Sequence, residues 1–316
     1  MNIFDTVFPV FTAVLPVFFL IALGAALRRS GFLSGELVAG NNKLVYFVGL
    51  PSLLFVKMAV SRPDFTGRAD MIIALAFTMC ALSGLAWTVA RWSRLDRRDR
   101  GTFAQAAFRS NAAFVGLPVI AFATGGSIDD ISPVVILLLT TIVIINNIFA
   151  VALLLLSAGE GASGLRMAAT VVVKTLLNPL ILAAALGLVY AILFDHLPNP
   201  VERSLRALGT MALPLALIGI GATIQVRHIR HRARVLWCAA IIKTSVAPLL
   251  AAFFAMLLGL EEAEALPLVI FMAAPTAAAS YILVDRIGGD RELAAGAVAL
   301  STLLSFLSLS LVVVLL

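Results

Sequence analysis

Charge is what this sequence has least of. Lys, Arg, Asp and Glu make up 13% of its 316 residues, about half the share found in soluble domains, which is too little to clothe a water-facing surface. Only two cysteines occur, Cys80 and Cys238. Both fall inside apolar runs, which excludes a disulfide framework and leaves them as small packing residues. No carboxylate or histidine cluster has metal-ligand spacing, no Gly-rich loop could cradle a phosphate, and no nucleophile is paired with a base. An enzyme and a bound cofactor are both without support. His228 and His231 sit in an arginine-rich segment that reads as a membrane-surface loop. No Asp or Glu lies near the middle of any apolar run, which argues against an ion site of paired buried carboxylates.

What the chain does have is hydrocarbon: 61% of its residues are apolar. At about 20 apolar residues per span, the length accommodates an all-α polytopic membrane protein of ten transmembrane helices. Punctuation by charge, Gly and Pro places them near 7–27, 36–60, 70–92, 102–124, 131–157, 167–194, 203–226, 235–258, 264–286 and 292–316. The net charge of +6 is spread over short clusters between these runs, a pattern that does not fit a nucleic-acid partner. Asp5, with no basic residue before the first run, is unlike a cleaved signal peptide, so the first helix is expected to stay.

Orientation follows from arginine. The odd-numbered connections hold 14 arginines and the even ones four, Arg62, Arg68, Arg203 and Arg206. Excess positive charge marks cytoplasmic loops, so both termini are expected outside, in a bacterial inner membrane. The connector SAGEGASG at 157–164 divides the chain into five spans and five, 1–157 and 165–316. An odd number of spans per half makes the halves enter the membrane in opposite senses, the layout of an inverted repeat.

Proline removes a helical N–H and leaves the carbonyl four residues back without a partner. Within lipid that carbonyl must find protein, water or ligand. Span 4 carries Arg109, Ser110, Asn111, Gly116 and Pro118, and span 9 carries Pro275, Thr276 and Ser280 among alanines. A break at Gly116–Pro118 and at Pro275 would free the N–H groups of Val119, Ile120, Thr276 and Ala277 at half-helix starts that favour an anion. On proline alone, Pro51 and Pro214 mark spans 2 and 7 as an equal pair. Polar residues at depth are Ser52, Asn111, Asn146, Asn147 and Asn178. Asn111, two turns before Pro118, reads as a ligand contact, whereas Asn147 and Asn178 read as helix-packing residues. Lys57, Lys174 and Lys243 read as lysines near span ends that snorkel to the interface.

The segments PVFFLIALGAALRRSGFLS, KLVYFVGLPSLLF, RSNAAFVGLPVIAF, KTLLNPLILAAALGL, MAAPTAAASYILVDRIGGD and STLLSFLSL run the length of the chain. In them it resembles the auxin efflux carrier family, in its bacterial membrane-transport branch. The resemblance implies two inverted five-helix repeats, with a scaffold part from spans 1, 2, 6 and 7 and a transport part from spans 3–5 and 8–10. Spans 4 and 9 would break and cross at proline, beside a site of Asn111, Pro118, Asn146, Pro275 and, from the scaffold, Ser52. Val119 and Thr276 follow the two prolines in that site. Members move organic anions: auxin in plants, malonate or other carboxylates in bacteria. The broader fold is shared with bile-acid and sodium–proton transporters.

The chain departs from the family in lacking a long cytoplasmic loop and an acidic residue in span 3. The expected function is elevator-type secondary transport of a small mono- or dicarboxylate, without a cofactor and with the coupling ion unspecified. A homodimer through the scaffold helices is implied by resemblance. A sodium-coupled bile-acid-type symporter and a membrane-embedded sensor without a transport cycle are the alternatives.

Overall fold

The computed structural model describes residues 14–61, 68–124, 131–158, 173, 177–224, 232–287 and 289–315. The start of the first apolar run, most of the 157–164 connector, Lys174 and the loop with His228 and His231 lie outside the described residues. Among the described residues every element is a helix. In chain order these are α1 (Leu15–Arg29), α2 (Gly35–Leu44), α3 (Leu50–Ser61), α4 (Ala69–Trp92), α5 (Arg97–Phe108), α6 (Leu117–Ala123) and α7 (Pro133–Ala158). There follow α8 (Pro179–Leu193), α9 (Asn199–Thr223), α10 (Ala233–Ile241), α11 (Ala247–Leu257), α12 (Glu262–Ala273), α13 (Ala279–Ile287) and α14 (Arg291–Leu315).

Six described stretches are long and apolar enough to cross a membrane: Gly35–Val60, Ala69–Trp92, Pro133–Leu154, Asn199–Thr223, Ala233–Leu257 and Arg291–Val314. Ala112–Ala123 and Pro179–Leu193 are shorter apolar helices. The chain is therefore an all-α integral membrane protein.

Proline shapes these helices in an unexpected way. Three π turns, Val45–Gly49, Ala112–Gly116 and Ile242–Val246, each end two residues before a proline: Pro51, Pro118 and Pro248. Widening the preceding turn moves the pairing back one residue, so Leu50 N–H reaches the Val45 carbonyl and Ala247 N–H the Ile242 carbonyl. The helix then passes through proline without stopping. The carbonyl that Pro248 leaves open, that of Thr244, accepts the Ser308 hydroxyl.

The chain forms two compact units, each assembled from separated segments. Unit 1 comprises Met1–Arg68, Ala113–Thr141 and Leu176–Thr223; unit 2 comprises Ala69–Ala112, Ile142–Thr175 and Ile224–Leu316. In unit 1, α1 packs along α9 and α3 along α8. The first pair touches backbone to backbone: a Cβ on Gly24 would lie 2.1 Å from the Ile218 oxygen, and one on Gly221 1.8 Å from that of Ile21. Small residues allow this approach, and close packing replaces the hydrophobic effect as the adhesive between helices in lipid. In unit 2, α4 packs on α5 and α11, α10 on α14, and α12 on α11 and α14.

Candidate functional site

In unit 2 two helices stop short and their ends meet. α5 ends at Phe108, and the backbone turns extended at Arg109 (φ −72°, ψ 111°). Ser and Asn follow, side chains that compete for backbone groups and are poor at continuing a helix. α12 ends at Ala273, with Ala274 at φ −57°, ψ 147°, because a residue before proline is pushed out of the helical region.

The two extended pieces pair antiparallel at Ser110 and Thr276. Asn111 N–H donates to the Pro275 carbonyl at 2.8 Å, and Ala277 N–H to the Arg109 carbonyl at 3.0 Å. These bonds flank Ser110 and Thr276, whose side chains sit at the close, non-hydrogen-bonded spacing. Each then serves the opposite helix. Ser110 Oγ donates to the Phe271 carbonyl, the group that Pro275 cannot reach, and Thr276 Oγ1 donates to the Ala106 carbonyl at 2.7 Å. Thr276 N–H goes to Ser301 Oγ at 3.0 Å. Gln105 Nε2 adds a bond to the Ser280 carbonyl at 3.2 Å.

Two asparagines border this crossing. Asn146, on α7, donates its Nδ2 to the Ser110 carbonyl at 3.2 Å, and its neighbour Asn147 accepts from Arg109 Nη2 at 3.0 Å. Asn111 Nδ2 and Asn146 Oδ1 are buried and have no hydrogen-bond partner among the described residues. A buried amide left unsatisfied costs about 1–3 kcal/mol, and both of these atoms border the crossing. The buried charges nearest the break, among the described residues, are Arg109 and Lys243, both positive. The buried carboxylates Asp99 and Glu264 lie in the first turns of α5 and α12, roughly 15 Å up those helices.

The structure thus gathers Asn111, Asn146, Pro275 and Thr276 in unit 2, whereas Ser52, Gly116, Pro118 and Val119 belong to unit 1. Ser52 is buried, with its hydroxyl on the Val48 carbonyl at 2.7 Å. Three expectations are corrected. The interruption in the fourth span lies at Arg109–Asn111 and not at Gly116–Pro118, since the π turn absorbs Pro118 inside helical backbone. The N–H groups of Thr276 and Ala277 are not open to a ligand, because Ser301 and Arg109 accept them. Lys243 does not snorkel: it is 0% exposed, near the middle of the 25-residue span Ala233–Leu257, and its Nζ donates to the Met272 carbonyl. Asn147, expected as packing alone, pairs with Arg109 beside the break. Counting residues from both ends of the span places Lys243 at depth. Nothing in the local sequence announces the stop after Phe108 as strongly as Pro118 announces a false one.

Comparison with known proteins gives the chain a setting. A family model described as "Membrane transport protein" matches residues 9–313. A protein of Methanothermobacter thermautotrophicus named "Uncharacterized transporter" is 28% identical over 306 residues, covering 94% of this chain and 95% of that one. A protein of Rhizobium meliloti named "Putative malonate transporter" is 23% identical over 301 residues, covering 92% and 91% respectively.

Proposed function

The chain belongs to the membrane transport protein family, the auxin efflux carriers and their bacterial branch, and we propose that as a membrane transporter it carries a small organic anion. The observation that carries this reading is Asn111 Nδ2, a buried amide donor without a partner among the described residues, beside the buried, positively charged Arg109; the unsatisfied acceptors Asn146 Oδ1 and Gln105 Oε1 lie on α7 and α5. Asn111 Nδ2 donates to a carboxylate oxygen. Asn146 Oδ1 accepts from the protonated or hydroxylic end of the same solute. A mono- or dicarboxylate fits, and malonate, the solute in the name of the Rhizobium relative, is the first to try. The role is transport and not catalysis, in keeping with the family.

The mechanism we propose is an elevator-type shift, with spans 3–5 and 8–10 as the transport part and spans 1, 2, 6 and 7 as the scaffold. Behind it stands an inverted repeat of five helices and five. Helix order and length support that architecture. α1 and α8 each have 15 residues, Gly35–Val60 has 26 against 25 for α9, and α4 has 24 against 25 for Ala233–Leu257. Next come α5 and α12 with 12 each, and α7 and α14 with 26 and 25. Both 12-residue members run into an extended break. On this reading both termini face outward from a bacterial inner membrane, and a homodimer would form through the scaffold.

Counterflow in proteoliposomes tests the function. Vesicles preloaded with malonate, or with another member of a carboxylate panel, should accumulate the labelled solute transiently. Absence of exchange for the whole panel, from protein that is folded and inserted, would remove the reading.

A further inference from the structure

Lys243 takes no part in the amide site. A lysine at this depth is expensive in hydrocarbon and persists only where protein oxygens replace its water. Among the described residues no carboxylate pairs with it, and its ammonium is held instead by the Met272 carbonyl in the last turn of α12. That carbonyl is open because the helix stops: the N–H four residues on, that of Thr276, is taken by Ser301 Oγ.

The surroundings are rich in oxygen. The π turn that bears Lys243 packs against α5, α12 and α14. Ser301, Thr302 and Ser305 on α14 are all buried, and Ser308, one turn further, reaches the Thr244 carbonyl next to Lys243 in sequence. The negative end of a half-helix, unwound carbonyls and hydroxyls together form the donor set that holds sodium in other carriers with broken helices. Here the half-helix end holds an amine, with buried hydroxyls on the helix packed beside it.

We infer that the Lys243 ammonium is a tethered cation, filling the place that a free monovalent cation would otherwise take at the crossing. The end of α12 is then neutralised without sodium, and folding of unit 2 is indifferent to the external cation. Removing the charge leaves the Met272 carbonyl open at a negative helix end, and sodium or lithium takes the place of the ammonium. This concerns the cation chemistry of unit 2, needs no substrate, and stands whatever the carried solute proves to be.

Thermal unfolding of the full-length chain in detergent tests it, in choline chloride and with lithium, sodium or potassium chloride substituted at constant ionic strength. Wild type should unfold at one temperature in all four salts. Lys243→Met should be less stable in choline and recover a saturable rise of roughly 2–4 °C in sodium or lithium. Lys243→Arg, which keeps the charge, should follow wild type. A saturable sodium response of the wild type overturns the inference, as does a monodisperse Lys243→Met chain indifferent to all four cations, or a sodium response of Lys243→Arg equal to that of Lys243→Met. Should Lys243→Met not be recovered folded from choline, it and Lys243→Gln are purified in sodium and lithium. Recovery there alone supports the inference, and recovery in none of the salts overturns it.

Discussion

Ser110 and Thr276 each hand a hydroxyl to the helix the other belongs to, Ser110 to the Phe271 carbonyl and Thr276 to that of Ala106. In an unbroken helix those carbonyls would be served by the N–H groups of residues 275 and 110. The first of these is a proline, and the second residue has left the helix. The crossing is therefore closed by two short side chains and two backbone bonds, a repair that costs little entropy because Ser and Thr have few rotamers to lose.

Ser110→Ala strips the buried Phe271 carbonyl of its donor. The expected loss is about 1–3 kcal/mol of stability, measured as a lower unfolding temperature in detergent. An unchanged midpoint would show that the carbonyl finds another donor.

Asn111→Ala separates transport from folding, because it is the backbone N–H of Asn111, not its side chain, that holds the bridge. Counterflow should fall by roughly ten- to a hundredfold, the factor that goes with one hydrogen bond to a charged group. The unfolding midpoint should stay within about 2 °C of wild type. Exchange at the wild-type rate would take Asn111 out of the site.

Ser308 and Pro248 should be coupled. Ser308→Ala leaves the Thr244 carbonyl open and should cost about 1–2 kcal/mol, whereas Pro248→Ala supplies the missing N–H in helical geometry. In the Pro248→Ala background the serine change should cost less, a non-additivity that a double-mutant cycle of unfolding midpoints reads directly. Strict additivity would mean that the hydroxyl and the proline are unrelated.

Gly221→Ala pushes a methyl to within 1.8 Å of the Ile21 carbonyl oxygen, a backbone atom that cannot swing aside. A loss of about 2 kcal/mol or more is expected. Gly84→Ala, where nothing lies within 4 Å of the added methyl, should be neutral or stabilising by up to about 1 kcal/mol through helix propensity. Equal effects at the two sites would contradict the packing of α1 on α9.

Asp99→Asn tests the ion pair outside the spans. Arg232, in a left-handed conformation (φ 57°) before α10, meets the Asp99 carboxylate, with Asp290 at 3.4 Å. The Asp99 hydrogen bond, with the charge of both carboxylates, holds its guanidinium above its usual pKa. The arginine side chain is 38% exposed, so the loss should be only about 0.5–1 kcal/mol and shrink with added salt.

The membrane character was legible from composition alone, because hydrophobic runs follow directly from the thickness of hydrocarbon. Asn111 and Pro275, which stand out in the sequence as an amide and a proline among small residues, meet at the extended crossing. The break in the fourth span was not legible. Sequence reasoning treats each proline as an end, and Pro118 shows why that misleads: a π turn redistributes the pairing over one extra residue, as it does before Pro51 and Pro248. The stop after Phe108 is only weakly marked by Ser110 and Asn111, and it is completed from a distance by the partner strand at Pro275 and Thr276. Lys243 was misread for a related reason. Its tolerance in lipid comes from the Met272 carbonyl, which only the break in another helix makes available.

The bond from Ser110 to Phe271 joins positions 161 residues apart, which sets a schedule for biosynthesis. A ribosome adding about 5–20 residues per second needs on the order of 10–30 s to produce the second strand after the first. Through that interval the nascent fourth span waits with Ser110, Asn111 and Arg109 lacking the partner that will close its break. The crossing is thus closed late, by a segment made long after the one it repairs.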